Sequence, residues 1–337
     1  MTSEATIKAT ASRIGGTGHY VPEKVVTNTD LSAMVDTSDQ WIRERTGIVE
    51  RRIAGEGEST SDMAAEAARR ALDHAGLDPQ EVDLVLVATV TPDRPLPSTA
   101  IFVHRALGLR HDCAAFDLAA ACAGFIYGIS IGNQYICNGA ARNVLVIGVE
   151  LLSRVMDWSD RNTCVLFGDG AGAVVLSPST EPHHGALLST HLFADGTLAD
   201  SLTIRAGGSQ QPTNYETVQN ALHFVHMDGR EIFKFAVRAL ASASSAAIEA
   251  NGVSADEVDW VVPHQANLRI LDGVSKRCGV PIERFFINID KYGNTSSASV
   301  PIALDEAVRA GLVKSGQLVL MCALGGGIAW GSAMLRW

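Results

Sequence analysis

Short, continuous apolar runs recur along the chain, and between them lie longer stretches in which apolar residues return every three or four positions. Runs such as VDLVLVAT and NVLVIGVE predict strands that helices cover on both faces, because a half-exposed strand would alternate apolar and polar residues. The longer stretches predict the covering helices. Strands that alternate with helices in this way indicate an α/β fold.

The same helix–strand unit occurs twice. Residues 71–87 (ALDHAGLDPQEVDLVLV) align without a gap with residues 247–263 (AIEANGVSADEVDWVVP), at an offset of 176 residues. Each copy reads as a helix, a glycine that ends it, a short acidic loop and a buried strand. Two chance helix–Gly–strand units would explain one match. Two further matches at a similar spacing, VLVIGVE with LVLMCALGG and the turn after FDL with the turn after INID, favour duplication.

We therefore predict two similar α/β halves packed about a pseudo-twofold axis. Residues 1–12 are predicted to be a short mobile tail, 13–177 the N-terminal half and 178–337 the C-terminal half. The stretch at about 178–222 is polar and interrupted by Gly and Pro. It predicts an inserted surface region that contains one strand pair.

Composition narrows the class of protein. The chain has 337 residues, of which 47% are hydrophobic and 19% charged, so it has ample core and is not a disordered segment. Its formal charge of −10 argues against nucleic acid as a partner, and an anionic partner would need a local basic patch. An aromatic content of only 6% argues against a stacking platform for carbohydrate or single strands.

The cysteines and the hydropathy indicate a cytoplasmic protein without a membrane partner. The six cysteines form no C-x-x-C pair, which is typical of reduced thiols. No signal peptide core is present, and no apolar run approaches the ~20 residues that span a bilayer. No HExxH motif or Cys/His cluster occurs, and the His183–His184 pair reads as exposed in a Pro/Gly loop, so we expect no metal.

Cys122 is the candidate nucleophile. In FDLAAACAGF a strand ends, small residues bracket the thiol, and a helix is predicted from about Ala123 to Asn138, where Gly139 ends it. The free N–H groups and the positive dipole at a helix N-terminus favour the thiolate. The ordinary alternative is a small buried thiol, which we keep for the other five cysteines.

His264 and Asn294 also follow predicted strands. His264 comes after the strand that ends at Pro263, and Asn294 follows the predicted strand FFINID. Taken singly, His264 reads as a hydrogen-bonded core histidine and Asn294 as a turn residue or helix cap. The turns of Cys122 and Asn294 are equivalent in the two repeats, so a pseudo-twofold axis predicts that all three side chains line one cavity.

Three glycine clusters have different interpretations. Gly325–Gly327, between two predicted strands, allow either an oxyanion hole with the N–H of Cys122 or a tight hairpin turn. The stretch GGTGHYVP at 15–22 resembles a dinucleotide fingerprint, but Pro22 follows too soon for the required helix. The stretch GDGAGA at 168–173 lies between strand-like segments, which argues against a phosphate loop.

Together the motifs resemble the thiolase-like condensing enzymes, and most closely the β-ketoacyl-[acyl-carrier-protein] synthase III family. They are NTDLSAMVDTSDQWIRERTGI, FDLAAACAGF, FGDGAGAVVL, VPHQANLRI, YGNTSSASVP and ALGGGIAWG, and the similarity covers nearly the whole chain after the tail. The resemblance implies a layered αβαβα fold. It also implies a catalytic triad of Cys122, His264 and Asn294, with the N–H groups of Cys122 and Gly326 as the oxyanion hole.

The implied reaction is an acyl transfer that initiates type II fatty-acid synthesis. A short acyl-CoA acylates Cys122, malonyl-[acyl-carrier protein] loses CO₂ at a site formed by His264 and Asn294, and the carbanion attacks the acyl group. Acyl-CoA is a substrate here, and no cofactor is implied. Acyl carrier protein and a second copy of the chain are the implied partners.

The resemblance also implies peripheral sites. Trp41, Arg45, Arg161 and Asn267 would bind CoA, although without the resemblance they read as a core-edge tryptophan and solvated side chains. The carrier protein would dock on a basic patch of Lys234, Arg269, Lys276 and Arg277. Leu96 would line the acyl pocket across a dimer, at a position where some members have a bulkier aromatic, and would admit longer or branched primers.

Three other functions remain open at this point. A related condensing enzyme of secondary metabolism would use another acyl donor or a different acceptor. A nicotinamide-dependent dehydrogenase would need a helix directly after a glycine fingerprint. An inactive scaffold subunit would generally lack the nucleophile.

Overall fold

The computed structural model describes residues 11–179 and 185–337. The predicted tail of residues 1–12 therefore lies outside the described residues, except for Ala11 and Ser12, which begin the first strand. The His183–His184 pair also lies outside them.

The described elements follow the predicted alternation of strands and helices. The strands are β1 (Ala11–Tyr20), β2 (Lys24–Thr27), β3 (Glu50–Ile53), β4 (Leu84–Ala88), β5 (Ala114–Leu118), β6 (Val144–Glu150), β7 (Gly170–Ser179), β8 (Ala186–Ala194), β9 (Leu202–Ile204), β10 (Val225–Met227), β11 (Trp260–Pro263), β12 (Leu318–Gly325) and β13 (Ala329–Arg336). The helices are α1 (Asn28–Ser32), α2 (Asp39–Thr46), α3 (Thr60–Ala75), α4 (Thr99–Leu107), α5 (Gly124–Cys137), α6 (Tyr215–Gln219), α7 (Gly229–Ala250), α8 (Leu268–Cys278), α9 (Ile289–Tyr292) and α10 (Ser299–Arg309).

Two sheets and three helical layers form the body of the protein. One sheet has the order β1-β7-β6-β4-β5 and the other the order β11-β12-β13-β8. Helices α5 and α10 lie between the sheets, where they share one apolar cluster with strands of both. Helices α3 and α4 cover the outer face of the first sheet, and α7 and α8 cover that of the second. The layered αβαβα prediction is confirmed.

The sheet order confirms the duplication. Strands β1, β7, β6 and β4 of the first sheet correspond to β8, β13, β12 and β11 of the second. The helix before the first repeated strand ends at Gly76, and Gly252 follows the end of α7; both glycines have positive φ, +65° and +63°. This left-handed conformation is accessible to glycine without strain, so the sequence repeat marks a real structural repeat.

Two predicted features of the C-terminal half are wrong. FFINID is not a strand, because only Phe285 bridges to Val261 and residues from Ile289 onward form α9.

The predicted insertion at about 178–222 also starts too early. Its first part contains β8, a full partner of β13, and the small strand pair is β9–β10, which ends at Met227. Core strand β8 has a partly exposed pattern, which explains why it reads as surface.

Glycines of the apparent fingerprints serve packing between elements. A Cβ on Gly16 would lie 2.3 Å from the carbonyl oxygen of Ala71, and one on Gly18 would lie 2.4 Å from the nitrogen of Ala71. Both glycines belong to β1, which packs on α3, so GGTGHYVP is a strand and not a dinucleotide loop. Gly172 similarly allows β7 to contact the backbone of Ile302 in α10, as expected for a segment that is not a phosphate loop.

None of the described helices is long and apolar enough to span a membrane.

Candidate active site

Two cavities meet at Cys122. The first, called the narrow cavity, has a volume of about 300 Å³ and is lined by Cys122, His264 and Asn294, with Arg45 and Arg269 among its other residues. The second, called the apolar cavity, has a volume of about 680 Å³. Its lining includes Cys122 and the residues Leu118, Phe167, Leu202, Val225, Ser296 and Gly326. The structure thus brings the three predicted catalytic side chains together in one cavity.

The Cys122 turn (Ala121–Ala123) is a single 3-10 turn that leads from β5 into α5. Ala121 has φ +44°, a left-handed conformation that is strained for a residue with a side chain. A Cβ on Gly124 would lie 2.9 Å from that of Ala88, so the turn sits directly on β4. The small residues around Cys122 permit this close approach of the turn to β4.

The thiol of Cys122 is buried, and burial raises its pKa to about 12. The hydroxyl of Ser296 and the N–H groups of Cys122 and Gly326 act in the opposite direction, as hydrogen bonds to the sulfur, while the charge of Glu150 adds to the rise. The prediction that the helix N-terminus favours a thiolate is therefore wrong for the free protein, because desolvation outweighs the donors. The thiol must lose a proton when it attacks.

Gly325–Gly327 form the turn of the β12–β13 hairpin, in which Gly325 pairs with Ala329. A Cβ on Gly325 would lie 2.7 Å from the nitrogen of Cys122, and one on Gly326 would lie 2.9 Å from Cγ of Leu202. The hairpin interpretation is confirmed, and the same turn brings the N–H of Gly326 to the sulfur of Cys122. The hairpin turn leaves the oxyanion-hole interpretation open, and that interpretation stays a prediction.

His264 stands at the carboxyl end of β11, as its position after Pro263 predicts. Its backbone N–H donates to the carbonyl of Cys322 at 2.7 Å, and its Nδ1 lies 2.6 Å from Oγ of Ser299. Burial lowers the pKa of the imidazole to about 3, so the ring is neutral at physiological pH. With Nδ1 engaged by Ser299, Nε2 is the nitrogen available to a ligand.

Asn294 begins the Asn294 turn (Asn294–Ala298), which leads into α10. Its backbone N–H donates to the carbonyl of Leu166 at 2.8 Å, and its Oδ1 accepts the N–H of Ser296 at 2.9 Å. Asn294 is therefore a turn residue, as one interpretation has it. Because Oδ1 is held by the backbone, the NH₂ end of the amide is left to donate to a ligand in the narrow cavity.

Three further polar side chains at this site escaped the sequence interpretation. They are Glu150, Ser296 and Ser299. Glu150 ends β6, is fully buried and accepts a hydrogen bond from Oγ of Ser296 at 3.1 Å. An acidic residue at the carboxyl end of the apolar run VLVIGVE is the signal that could have revealed it. Ser296 and Ser299 lie inside the quoted motif YGNTSSASVP.

The predicted CoA residues cluster outside the buried triad. The guanidinium carbons of Arg45 and Arg161 lie 4.7 and 5.1 Å from the ring centre of Trp41. Arg161 also donates to the carbonyl of Asp36 at 2.7 Å. Asn267 caps α8 through the N–H of Arg269 at 2.9 Å and donates to the carbonyl of Arg45 at 3.0 Å. Its amide thus already has structural partners, although it lines the narrow cavity.

The predicted docking residues do not form one compact patch. Lys234 is exposed on α7, and Arg269 is exposed at the start of α8, where it lines the narrow cavity. Lys276 and Arg277 are exposed in the last turn of α8, roughly 11 Å from Arg269 along the helix. Lys276 is also paired with Asp272 at 2.6 Å.

Leu96 does not line either cavity within the chain. Its side chain is 84% exposed, in the loop before α4. A contact between Leu96 and an acyl chain bound at Cys122 would therefore require a second copy of the protein. Among the residues described, no group of three or more His, Cys, Asp or Glu side chains is arranged to hold a metal ion.

Comparison with known proteins agrees with this geometry. Family models described as 3-oxoacyl-[acyl-carrier-protein] synthase III and as the C-terminal part of that enzyme match residues 116–196 and 248–337. The chain is 51% identical to a β-ketoacyl-[acyl-carrier-protein] synthase III of Caldanaerobacter subterraneus subsp. tengcongensis, and the alignment covers 97% of this chain and 98% of that protein.

Solved structures agree over the same length. The 3-oxoacyl-[acyl-carrier-protein] synthase III of Aquifex aeolicus superposes with a TM-score of 0.89 at 47% identity, covering 97% of this chain and 100% of that one. A priming β-ketosynthase of a polyketide biosynthetic pathway superposes with a TM-score of 0.88 at 38% identity, covering 99% of each chain. The chain has the thiolase-like fold and belongs to the β-ketoacyl-[acyl-carrier-protein] synthase III family.

Proposed function

We propose that the protein condenses a short acyl-CoA with malonyl-[acyl-carrier protein] by a decarboxylative Claisen reaction, through an acyl-Cys122 intermediate. This reaction initiates type II fatty-acid synthesis. The observation that carries the proposal is the convergence of Cys122, His264 and Asn294 on one buried cavity, in a chain of this family. The reaction uses two thioesters and protein groups, and the loss of CO₂ supplies the carbanion without a cofactor.

The first half-reaction transfers the acyl group to Cys122. The sulfur attacks the thioester carbonyl of acyl-CoA, and the carbonyl oxygen gains negative charge in the tetrahedral intermediate. The N–H groups of Cys122 and Gly326 stabilise that oxygen, and their contact with the sulfur in the free protein supports this role. CoA then leaves, and the acyl chain extends into the apolar cavity.

The second half-reaction generates the nucleophilic carbanion. His264 and Asn294 donate hydrogen bonds to the thioester oxygen of the malonyl group, where charge develops as CO₂ departs. The neutral imidazole suits this role, provided that Nε2 carries the proton. That tautomer requires Oγ of Ser299, 2.6 Å from Nδ1, to donate to the ring and not to the carbonyl of Ser296, which lies 2.9 Å from the same oxygen. The carbanion attacks the acyl-Cys122 carbonyl and releases a β-ketoacyl-[acyl-carrier protein].

CoA binding would use Trp41, Arg45, Arg161 and Asn267. An adenine held between Trp41 and Arg161 needs about 7 Å of separation, two contact layers of about 3.5 Å each. The guanidinium of Arg161 now lies 5.1 Å from the Trp41 ring centre, so it must swing outward and release the carbonyl of Asp36. Arg161→Ala should raise the KM for acyl-CoA, while an unchanged KM would remove this residue from the site.

Carrier-protein docking would use Lys234, Arg269, Lys276 and Arg277. Arg269 lies both on the exposed surface and in the lining of the narrow cavity, where a phosphopantetheine arm would enter. These separate basic side chains, on a chain of net charge −10, should give weak and fast docking that depends on salt. The affinity for carrier protein should fall as ionic strength rises, and a salt-independent affinity would contradict the docking assignment.

A second copy of the chain would cover the exposed edge of β5. This strand lies at the edge of the five-stranded sheet, and the neighbouring apolar side chains Leu96, Ile101 and Phe116 are exposed. An open apolar edge favours pairing with another chain. We expect a homodimer by light scattering, and Phe116→Asp should shift it toward monomer. A wild-type protein that is monomeric at working concentration would contradict this assignment.

Primer preference follows from the same arrangement. If Leu96 of a second copy closes the apolar cavity, a side chain smaller than an aromatic leaves room for longer or branched acyl groups. A mass-spectrometric survey with acetyl-, isobutyryl- and hexanoyl-CoA tests this directly. Strict preference for acetyl-CoA would refute the primer assignment, and failure of every acyl-CoA to label Cys122 would refute the proposed function.

A condensing enzyme of secondary metabolism is the second candidate. The similarity to a priming β-ketosynthase of a polyketide pathway, at 38% identity over 99% of each chain, is the observation that favours it. The acceptor distinguishes the two functions. Efficient turnover with malonyl-[acyl-carrier protein] from fatty-acid synthesis supports the first candidate, whereas turnover only with another carrier protein or with free malonyl-CoA supports the second.

A further inference from the structure

The proposed acylation step leaves one proton without a destination. Cys122 is a thiol in the free protein, because burial raises its pKa, and the attacking species is the thiolate. His264 is a poor acceptor for this proton, since burial lowers the pKa of its imidazole to about 3. Some other group near the sulfur must take the proton as the carbon–sulfur bond forms.

Glu150 is a buried carboxyl group with no counter-ion at the base of the same site. Its side chain is fully buried, and within the described ranges it forms no ion pair with a basic side chain. Hydrogen bonds hold it in place: Oγ1 of Thr91 donates to Oε2 at 2.7 Å, and the N–H of Val90 donates to the same oxygen at 3.1 Å. Burial raises the pKa of Glu150 to about 7.

Ser296 connects this carboxyl group to the thiol. Its hydroxyl donates to Oε1 of Glu150 at 3.1 Å, and the same hydroxyl lowers the pKa of the Cys122 thiol. Both Cys122 and Ser296 line the apolar cavity. While the hydroxyl donates to Glu150, its lone pairs are free to accept the thiol proton, so a relay through Ser296 runs from sulfur to carboxylate.

We propose that Ser296 and Glu150 form the proton relay that deprotonates Cys122 during acylation. This inference rests on the proposed function. The thiol proton moves to Oγ of Ser296 while the hydroxyl proton of Ser296 moves to Oε1 of Glu150. The sulfur–carbon bond to Cys122 forms, the sulfur–carbon bond to CoA breaks, and the departing CoA thiolate receives the proton back through the same two groups. While the sulfur of Cys122 is a thiolate, the hydroxyl of Ser296, with its new proton, donates a hydrogen bond to it.

The surroundings of Glu150 suit a group that changes its protonation state. The groups that face it are hydroxyls of Thr89 and Thr91 from the end of β4, the N–H of Val90, and the hydroxyls of Ser296 and Ser297. None of these groups carries a charge, and the charge of Glu150 also acts on the titratable thiol of Cys122. Because no fixed cation holds the carboxylate charged, a proton is accepted or released without breaking an ion pair.

The test measures the two half-reactions separately. Acylation is followed by the burst of CoA release without malonyl-[acyl-carrier protein], using whichever of acetyl-, isobutyryl- and hexanoyl-CoA labels the wild type fastest. Decarboxylation of malonyl-[acyl-carrier protein] is followed without acyl-CoA. The variants are Glu150→Gln, Glu150→Asp and Ser296→Gly; glycine is chosen because Ser296 has φ +49°. The matched control is Glu306→Gln, on α10. The carboxyl group of Glu306 accepts a hydrogen bond from the hydroxyl of Tyr292 at 2.7 Å.

Glu150→Gln and Ser296→Gly should each slow acylation by roughly 10²-fold and leave decarboxylation within about threefold of wild type. The double variant should be no slower than the slower single variant, because both changes break one relay. Wild-type acylation should rise with pH through the titration of Glu150, and Glu150→Gln should lose that rise while Glu150→Asp retains it. Glu306→Gln should match wild type in both assays.

Two results would overturn the relay. One is acylation by Glu150→Gln within about threefold of wild type with an unchanged pH profile. The other is equal loss of both half-reactions in Glu150→Gln, which indicates a purely structural carboxyl group. A wild-type protein that shows no acylation burst at all would instead refute the proposed function.

Discussion

The Cys122 turn and the Asn294 turn are the same piece of structure used twice. Each has one strained residue with positive φ, Ala121 at +44° and Ser296 at +49°, and each leads directly into a central helix. The two residues that follow, Cys122 and Ser297, are therefore equivalent. The sulfur of Cys122 faces both cavities, whereas the hydroxyl of Ser297 is buried and donates to the carbonyl of Ala88 at 2.8 Å.

The difference indicates how the duplicated fold would divide the proposed reaction. In that proposal one turn presents the nucleophile, and the other presents the amide of Asn294 and the hydroxyl of Ser296. The two turns pack against each other, so each supplies what the other lacks. Only the pair makes a complete site.

The largest expected effect comes from removing the nucleophile of the first turn. Cys122→Ala should abolish acyl-enzyme formation, a loss of about 10⁴-fold or more in condensation, because it removes the group proposed to carry the acyl chain. Some decarboxylation of malonyl-[acyl-carrier protein] should persist, since His264 and Asn294 remain. Mass spectrometry of the intact protein after incubation with acyl-CoA measures the first result. Cys137→Ala, at the other end of α5, is the control and should still be acylated. An acyl adduct on the Cys122→Ala protein would refute the role of Cys122.

The second-largest expected effect distinguishes the hydrogen-bond donors of the site from its nucleophile. His264→Ala should leave Cys122 acylation largely intact and slow condensation by roughly 10²–10³-fold, because it removes one donor to the developing enolate. Rapid-quench measurement of both half-reactions checks this. Equal impairment of the two would mean that His264 activates the thiol, which would contradict both the division of roles and the proton relay.

A third prediction concerns the charge of Glu150 beside the two turns. Its pKa of about 7 lies above the ordinary 4.5, so the folded protein binds this proton more tightly than the unfolded chain does. The free energy of unfolding therefore falls as pH rises through the range between these two pKa values. Glu150 accounts for a fall of about 3 kcal/mol. Glu150→Gln removes the effect, so its unfolding free energy relative to wild type should increase by about that amount between pH 4.5 and pH 8. A pH-independent difference in denaturant titrations would show that the pKa of Glu150 is the same in the folded protein as in the unfolded chain.

The smallest effect tests the equivalent position in the second turn. Ser297→Ala removes a buried hydrogen bond to Ala88 and should lower the free energy of unfolding by about 1–2 kcal/mol. Acylation of Cys122 should still go to completion by mass. If Ser297→Ala leaves stability unchanged but prevents acylation, the two turns share the nucleophilic chemistry more evenly than the structure indicates.

Much of the fold could be predicted from the sequence, because the duplicated pattern at 71–87 and 247–263 is carried by local signals. Apolar runs, a helix-ending glycine and an acidic loop each indicate their element without knowledge of the rest. The strand prediction for FFINID was wrong for the same reason, because it also rested on a local pattern. Its apolar pattern resembles a strand, but the second sheet ends at β11 and leaves Phe285 only a single bridge. Strand β8 was missed because its partner β13 lies far along the chain.

The meeting of Cys122, His264 and Asn294 in one cavity was predictable from the sequence, and their protonation was not. Cys122, His264 and Asn294 each follow a strand or turn signal, and the repeat indicates that they meet. The pKa of Cys122 depends on burial of the thiol and on groups brought to it from the hairpin, the Asn294 turn and β6. No local pattern around Cys122 reports that burial. Glu150 is inconspicuous in sequence because its partners Thr91 and Ser296 lie 59 and 146 residues away.

The most direct test of the central claim is a double-mixing experiment on the wild-type protein. Acyl-CoA is added first, and the adduct on the Cys122 peptide is quantified; malonyl-[acyl-carrier protein] is then added and the reaction is quenched over time. We predict that the Cys122 adduct forms without the second substrate and decays at the rate at which β-ketoacyl-[acyl-carrier protein] appears. An adduct that is absent, or that persists while product accumulates, would contradict the account.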